Sequence, residues 1–435
     1  MKKRIAIFFS LAALAAAFMA CEKKTGPEVP LPGKNRTVIE YMVADNNLYR
    51  YAEGDINEME TAWSEGYDGR LVVFLYPPAA ASGYASGGAG YDERPRLLLI
   101  SRDDDQTTIS SRVLKTYDRK SDPTDPAVMG RVVEDAMKLA PAEGYALVFW
   151  SHGSGWLPKG AGQPLKSALP PADDPLWAGS KLAGMASSGG AAVSDEGTTA
   201  YSFGQSGSHG NNEMEIDELA RALPAGIVFD FILFDACHMA SIELAWELKD
   251  HTDYLIASAA ETLADGFPYA RMMEAMFAPR ADAEAIGREF YEYYDARSGA
   301  YRSATVGVVR SDKLPSLAGA VKALCDAGLP TSGISYAGQQ YGRRSVKFHD
   351  TFYDLEDFVT RTWGEDDPLV ASFRAALAGA VVYAAATPVL FNELRVDTHC
   401  GVSCYLPRSS TPVSLEAYRS RFGWSAASGM GTLVP

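Results

Sequence analysis

Cysteine is scarce, five among 435 residues, too few for a disulfide framework to hold a chain of this size. No Cys-x₂-Cys or His-x₃-His pair occurs, and His399, Cys400 and Cys404 lack a fourth partner, which argues against zinc. The absence of any Gly-x-Ser-x-Gly excludes the serine nucleophile elbow. Positive charge is also short: 40 Lys and Arg face 55 Asp and Glu, a net −15. Nucleic-acid phosphates demand a basic face, so nucleic acid is not an expected partner. The acidity suits solubility first and cationic peptides second. What remains is ordinary for a globular protein, with 47% hydrophobic and 22% charged residues. The length allows one large domain with accessory elements, or two domains.

The N-terminus has an apolar run, Ile5–Met19, broken only by Ser10 and preceded by Lys2, Lys3 and Arg4. It is shorter than the roughly 17–25 residues of a membrane span. With small Ala20 before Cys21, residues 1–21 resemble a bacterial lipoprotein signal, although Phe18 and Met19 depart from its usual Leu and small residue. That resemblance implies export, a lipidated Cys21, and a cell-envelope anchor at the outer membrane or cell surface. Residues 22–36 are polar and Pro-rich, a tether.

Apolar runs at 37–44, 71–76, 145–150, 227–234, 253–258 and 304–309 read as strands, several apolar throughout, as in a parallel sheet covered on both faces. Helices are expected near 48–65, 126–140, 214–223, 240–249, 270–278, 282–296 and 313–327. Alternation of this kind predicts a three-layer α/β domain over 37–340, its mostly parallel central sheet flanked by helices. A change of pattern past 340, with helices near 353–363 and 368–385, suggests a C-terminal subdomain over 341–435. Residues 157–212 are rich in Gly, Ala, Ser and Pro without a period, an insertion expected to be flexible. Cys325 sits on an apolar helix face as core, while Cys400 and Cys404 could pair or stay reduced.

Two strand ends carry chemistry. "ILFDACHMASIELAWEL" (232–248) runs a strand into Cys237 and then a helix, and "VFWSHGSGW" (148–156) runs one into His152. Sites in open α/β sheets gather at the carboxyl ends of strands. If the two strands are parallel neighbours, a thiol and an imidazole share one rim, the minimum for a cysteine nucleophile. Gly153 lets a backbone N–H approach a developing oxyanion. Taken singly, a cysteine after an apolar run is more often core, and a histidine more often a loop residue; together at strand ends they favour catalysis. His238 points away from Cys237, as adjacent residues do, and is read as a decoy.

These motifs resemble the caspase-like cysteine peptidases, and most closely the clostripain family. The carriers are "TVIEYMVADNNLYRYAEGDINEME" (37–60), "LVFWSHGSGW" (147–156), the segment 229–269 around Cys237, and "HCGVSCYLP" (399–407). The resemblance is good over roughly 37–310 and looser beyond. It implies a caspase-like fold and a dyad in which Cys237 attacks the scissile carbonyl and His152 is its base. It places the oxyanion on the N–H groups of Gly153 and Cys237. Asp235, two before the nucleophile, would take a basic P1 side chain, with Glu261 and Asp265 adding acidity; the plainer reading of Asp235 is a turn or capping aspartate. Family members can cut their own His-to-Cys connection, which marks Lys159, Lys166 and Lys181 as self-cleavage candidates. The chemistry requires no cofactor; the resemblance allows calcium without naming its ligands. Expected partners are proteins or peptides bearing Arg or Lys, and a membrane through the anchor. Two rival functions share the fold: an inactive surface lipoprotein that binds protein, and a cell-envelope thiol amidase or transpeptidase.

Overall fold

A computed structural model describes residues 30–85, 91–157, 203–343, 350–408 and 414–433. The signal with Cys21, most of the tether, and Lys159, Lys166 and Lys181 lie outside them. Twelve strands matter here: β1 (Lys34–Val43), β2 (Gly69–Tyr76), β3 (Arg96–Leu99), β4 (Arg112–Thr116), β5 (Ala142–Trp150), β6 (Phe203–Ser206), β7 (Asn212–Met214), β8 (Ile232–Asp235), β9 (Tyr254–Ala257), β10 (Thr305–Arg310), β11 (Tyr353–Asp354) and β12 (Val381–Ala386).

Nine of them form one sheet in the order β12-β10-β9-β8-β5-β1-β2-β3-β4. The five central strands, β2, β1, β5, β8 and β9, are parallel, and antiparallel strands close both edges. All eight residues of β2 are buried, as are the last eight of β1, because helices cover both faces. Local signals fix those helices. Asp125 caps Pro126–Leu139 with proline at its first turn, and Ser241 caps Ile242–Leu248 by accepting from Leu244 N–H at 3.2 Å.

The structure corrects three expectations. A division at 340 does not hold, because β12 pairs with β10 in the main sheet and the helix Pro368–Ala380 packs on Leu314–Ala327. The expected helix 368–385 ends at Ala380 and continues as that strand; an Ala- and Val-rich run suits either state until its neighbours choose. Within 157–212, residues 203–212 are folded: β6 pairs with β7, which begins at the end of this stretch, and Phe203 bridges to Gly153. Among the described residues, no helix is long and apolar enough to cross a membrane.

Candidate active site

The chain winds from β1 to β2 on one side and from β5 to β8 on the other, so the strand order reverses between β1 and β5. Ligand crevices form at such switch points, beyond the carboxyl ends. Asn47 follows β1, His152 follows β5 and Cys237 follows β8. Trp150 pairs with Asp235 in the parallel β5–β8 ladder. His152 and Cys237 therefore each lie two residues past a paired position on adjacent strands, which run about 4.8 Å apart. Gly153 permits this closeness. A Cβ there would lie 2.8 Å from the Cys237 carbonyl oxygen and 3.0 Å from the Ala236 methyl. Both His152 and Cys237 are buried.

Two partners escaped the sequence reading. His152 Nε2 meets Asn47 Oδ1 at 3.1 Å, a contact that orients the ring. Asn47 stands inside the Asp-Asn-Asn-Leu turn, but nothing in the string says that its side chain turns to a residue 105 positions away. The Thr262 N–H donates to Cys237 Sγ at 3.3 Å. The thiol in turn reaches Thr262 O at 3.7 Å, so one residue holds the sulfur in place through both its N–H and its carbonyl.

His238 is the decoy expected. Its backbone is left-handed at φ 59°, its ring stacks on Phe352 with centroids 4.4 Å apart, and Nδ1 donates to Ala259 O at 3.2 Å. Burial pulls its pKa down to about 4, so the ring is neutral. His399 meets the Tyr341 hydroxyl through Nδ1 and Val306 O through Nε2. Cys400 and Cys404 are buried thiols without a disulfide. Cys325 is core as expected, its thiol raised to about 12 by burial. Among the described residues, no three His, Cys, Asp or Glu side chains gather as a metal site.

The three pocket candidates part company. Asp235 is fully buried, and its Oδ2 accepts from Phe267 N–H at 3.1 Å and from the Tyr269 hydroxyl at 3.2 Å. Tyr269 also donates to Glu40 Oε1 at 2.8 Å. Gly266, at φ 65°, leaves the space that carboxylate fills: a Cβ there would lie 2.4 Å from Asp235 Oδ2. Asp265 stands beside it on the same loop, partly exposed. Glu261 does not fit its expected role. It is buried and holds Arg343 Nη2 at 2.6 Å, with that guanidinium also over the Phe391 ring. A buried carboxylate already matched to an arginine has no call on a substrate cation, and no sequence signal joined Glu261 to a residue 82 positions on.

The clostripain family profile matches residues 40–168 and 160–329, well over half of the chain. A comparison with curated proteins gives no match. Among solved structures the chain is similar to an inactive zymogen of a C11 protease from Parabacteroides distasonis. The identity is 27% and the TM-score 0.65, over 91% of this chain and 99% of that one. A secreted C11 cysteine protease from Bacteroides thetaiotaomicron gives a TM-score of 0.67 at 22% identity, over 92% and 100%. A secreted C11 protease of the same organism, in complex with an irreversible peptide inhibitor, gives 0.66 at 24%, over 92% and 100%. The last two likenesses concern the fold alone. With its family profile matched across the strands that carry His152 and Cys237, this chain belongs to the clostripain family and is a cysteine peptidase.

Proposed function

We propose that the chain is an endopeptidase that cuts after Arg or Lys, with Cys237 as nucleophile and His152 as its base. The observation that carries this reading is the β5–β8 register, which pairs Trp150 with Asp235, so that His152 and Cys237 each follow two residues beyond the same paired position. Cys237 Sγ bonds to the scissile carbonyl carbon while its proton passes to His152. The charge that develops on the carbonyl oxygen is met by the N–H groups of Gly153 and Cys237. A donor of this kind contributes roughly 2.7–4 kcal/mol by analogy with other peptidases. His152 then gives the proton to the leaving amine as the C–N bond breaks, and water hydrolyses the thioester. Asp235 is the proposed partner of the P1 cation, since a buried carboxylate binds guanidinium or ammonium strongly.

Burial of both Cys237 and His152 supports activation by cleavage, because a peptide bond reaches them only after a covering segment moves. The Parabacteroides distasonis relative is an inactive zymogen. Lys159, Lys166 and Lys181 are the proposed cuts. Export with a lipid on Cys21, read from residues 1–21, completes the reading. The deciding experiment is a P1 scan with fluorogenic peptides on wild type, Cys237→Ala and Asp235→Asn. Cys237→Ala should be inert, and Asp235→Asn should lose the basic preference. Indifference of the wild type to P1 charge would favour the amidase or transpeptidase, and no turnover at all the binding protein. Intact mass of active protein, with a Lys159/Lys166/Lys181 triple substitution beside it, tests self-cleavage.

A further inference from the structure

The loop Asp265–Pro268 and the first turn of the helix Tyr269–Met276 tie three carboxylates together. Gly266 lies against Asp235, Phe267 N–H and the Tyr269 hydroxyl donate to Asp235, and Ala270 N–H donates to Glu58 Oε1 at 3.1 Å. Asp265 opens the loop. One arginine of the chain itself lies against this acidic group. Arg297 follows the helix Ala283–Asp295, and its Nη1 lies 3.3 Å from Asp265 Oδ2. Its guanidinium carbon lies 4.2 Å from the centroid of the Tyr293 ring and 5.6 Å from that of Tyr294. The Tyr294 hydroxyl donates to Gly266 O at 2.6 Å, which fastens this helix end to the same loop. A carboxylate and two tyrosine faces are the surroundings a guanidinium selects. Arg297 and Asp265 are both partly exposed, 31% and 41% at the side chain, so solvent reaches the pair.

The charge environment agrees with this grouping. Burial pushes the Glu58 carboxyl up, N–H bonds from Ala270 and Tyr269 pull it down, and Asp235 and Asp265 push it up again. Tyr51 is raised by burial and then by Asp265.

We infer that Arg297 is a specificity-determining residue: a resident cation that takes up Asp265 and so limits how strongly the site favours a basic P1 side chain. The inference rests on the P1 reading above. A substrate cation entering beside Asp235 meets Asp265 already matched, and repulsion from Arg297 besides. Removing that charge should raise attraction for Lys or Arg at P1 without touching a neutral P1. Exposed pairs are worth about 0.2–1 kcal/mol, so the change should be modest, roughly 1.4- to 5-fold by the usual conversion.

The experiment measures kcat/KM for matched peptides with Arg, Lys or Gln at P1, on wild type, Arg297→Gln, Arg297→Lys and Asp235→Asn. In Arg297→Gln the basic-to-neutral ratio should rise by about 1.4- to 5-fold, and the gain should shrink as salt rises toward 0.5 M, where screening shortens the reach of charge. Arg297→Lys should stay near wild type, because it restores the cation. A ratio unchanged in Arg297→Gln, in an enzyme whose basic preference still collapses in Asp235→Asn, would overturn the inference and leave the P1 reading standing. A wild type with no basic preference would end both. A uniform fall on all three peptides would reveal a structural role only and likewise overturn it.

Discussion

Glu243 offers the sharpest test of how this core is built, because its burial and that of His238 oppose each other in pH. Glu243 lies on the helix after the nucleophile and is fully buried. It accepts from Tyr405 N–H at 2.9 Å and the Tyr418 hydroxyl at 3.2 Å. Burial raises its pKa from 4.5 to about 7. Between those values the folded chain keeps a proton that the unfolded chain releases, so stability falls as pH rises. At about 1.4 kcal/mol per unit, the loss is about 3 kcal/mol. His238 is lowered from 6.5 to about 4. There the unfolded chain holds the extra proton, so stability rises with pH by a similar amount, about 3 kcal/mol. The two slopes nearly cancel between pH 4.5 and 6.5 in wild type. Glu243→Gln should break the cancellation. Urea unfolding of both proteins, at about pH 4 and about pH 7.5, should show the variant gaining about 3 kcal/mol relative to wild type. Other groups titrate in both proteins and drop out of that difference. A difference that stays flat with pH would refute the reasoning, whatever the absolute stabilities.

Three further outcomes are expected. Asn47→Ala should lower kcat about 10- to 100-fold by loosening the His152 ring, whereas Asn47→Asp should move the acidic limb of the pH–rate profile upward, because a stabilised imidazolium must lose its proton before it can act as base. Equal profiles in the two variants would count against the contact. Gly266→Ala forces a left-handed backbone on alanine and a methyl onto Asp235; it should cost more than about 1 kcal/mol in thermal or urea unfolding, and selectivity at P1 should fall with it. Glu261→Leu or Arg343→Met alone should each destabilise by about 3–5 kcal/mol, and the Glu261→Leu/Arg343→Met double variant by less than the sum. Strict additivity in a urea double-mutant cycle would show that the pair is not coupled.

Much of the scaffold was legible because the sheet is buried on both faces. Such strands read as apolar runs, so β1, β2, β5, β9 and β10 were placed within a few residues. The short edge strands β3 and β4, "RLLL" and "RVLKT", carry too little pattern to announce themselves. The apolar run 227–234 starts ahead of β8: Phe229 makes only an isolated bridge, and Asp230 is held by Arg36 Nε at 2.5 Å, so regular pairing begins at Ile232. At the site, Cys237 and His152 were legible because each ends an apolar run in a polar turn. Glu261 misled because its type and position suited a pocket acid, while the arginine that occupies it comes from a distant segment.

The sequence by itself determined the layered α/β class, the two strand ends that carry sulfur and imidazole, and the acidic residues near them, since periodicity and residue type are local properties. Tertiary structure decided which carboxylate meets which cation. Asp265 goes to Arg297, Glu261 to Arg343, and Asp235 to the hydroxyl and amide beneath the nucleophile. Charge pairing acts over a few ångströms of space, and only the fold sets which residues stand that close.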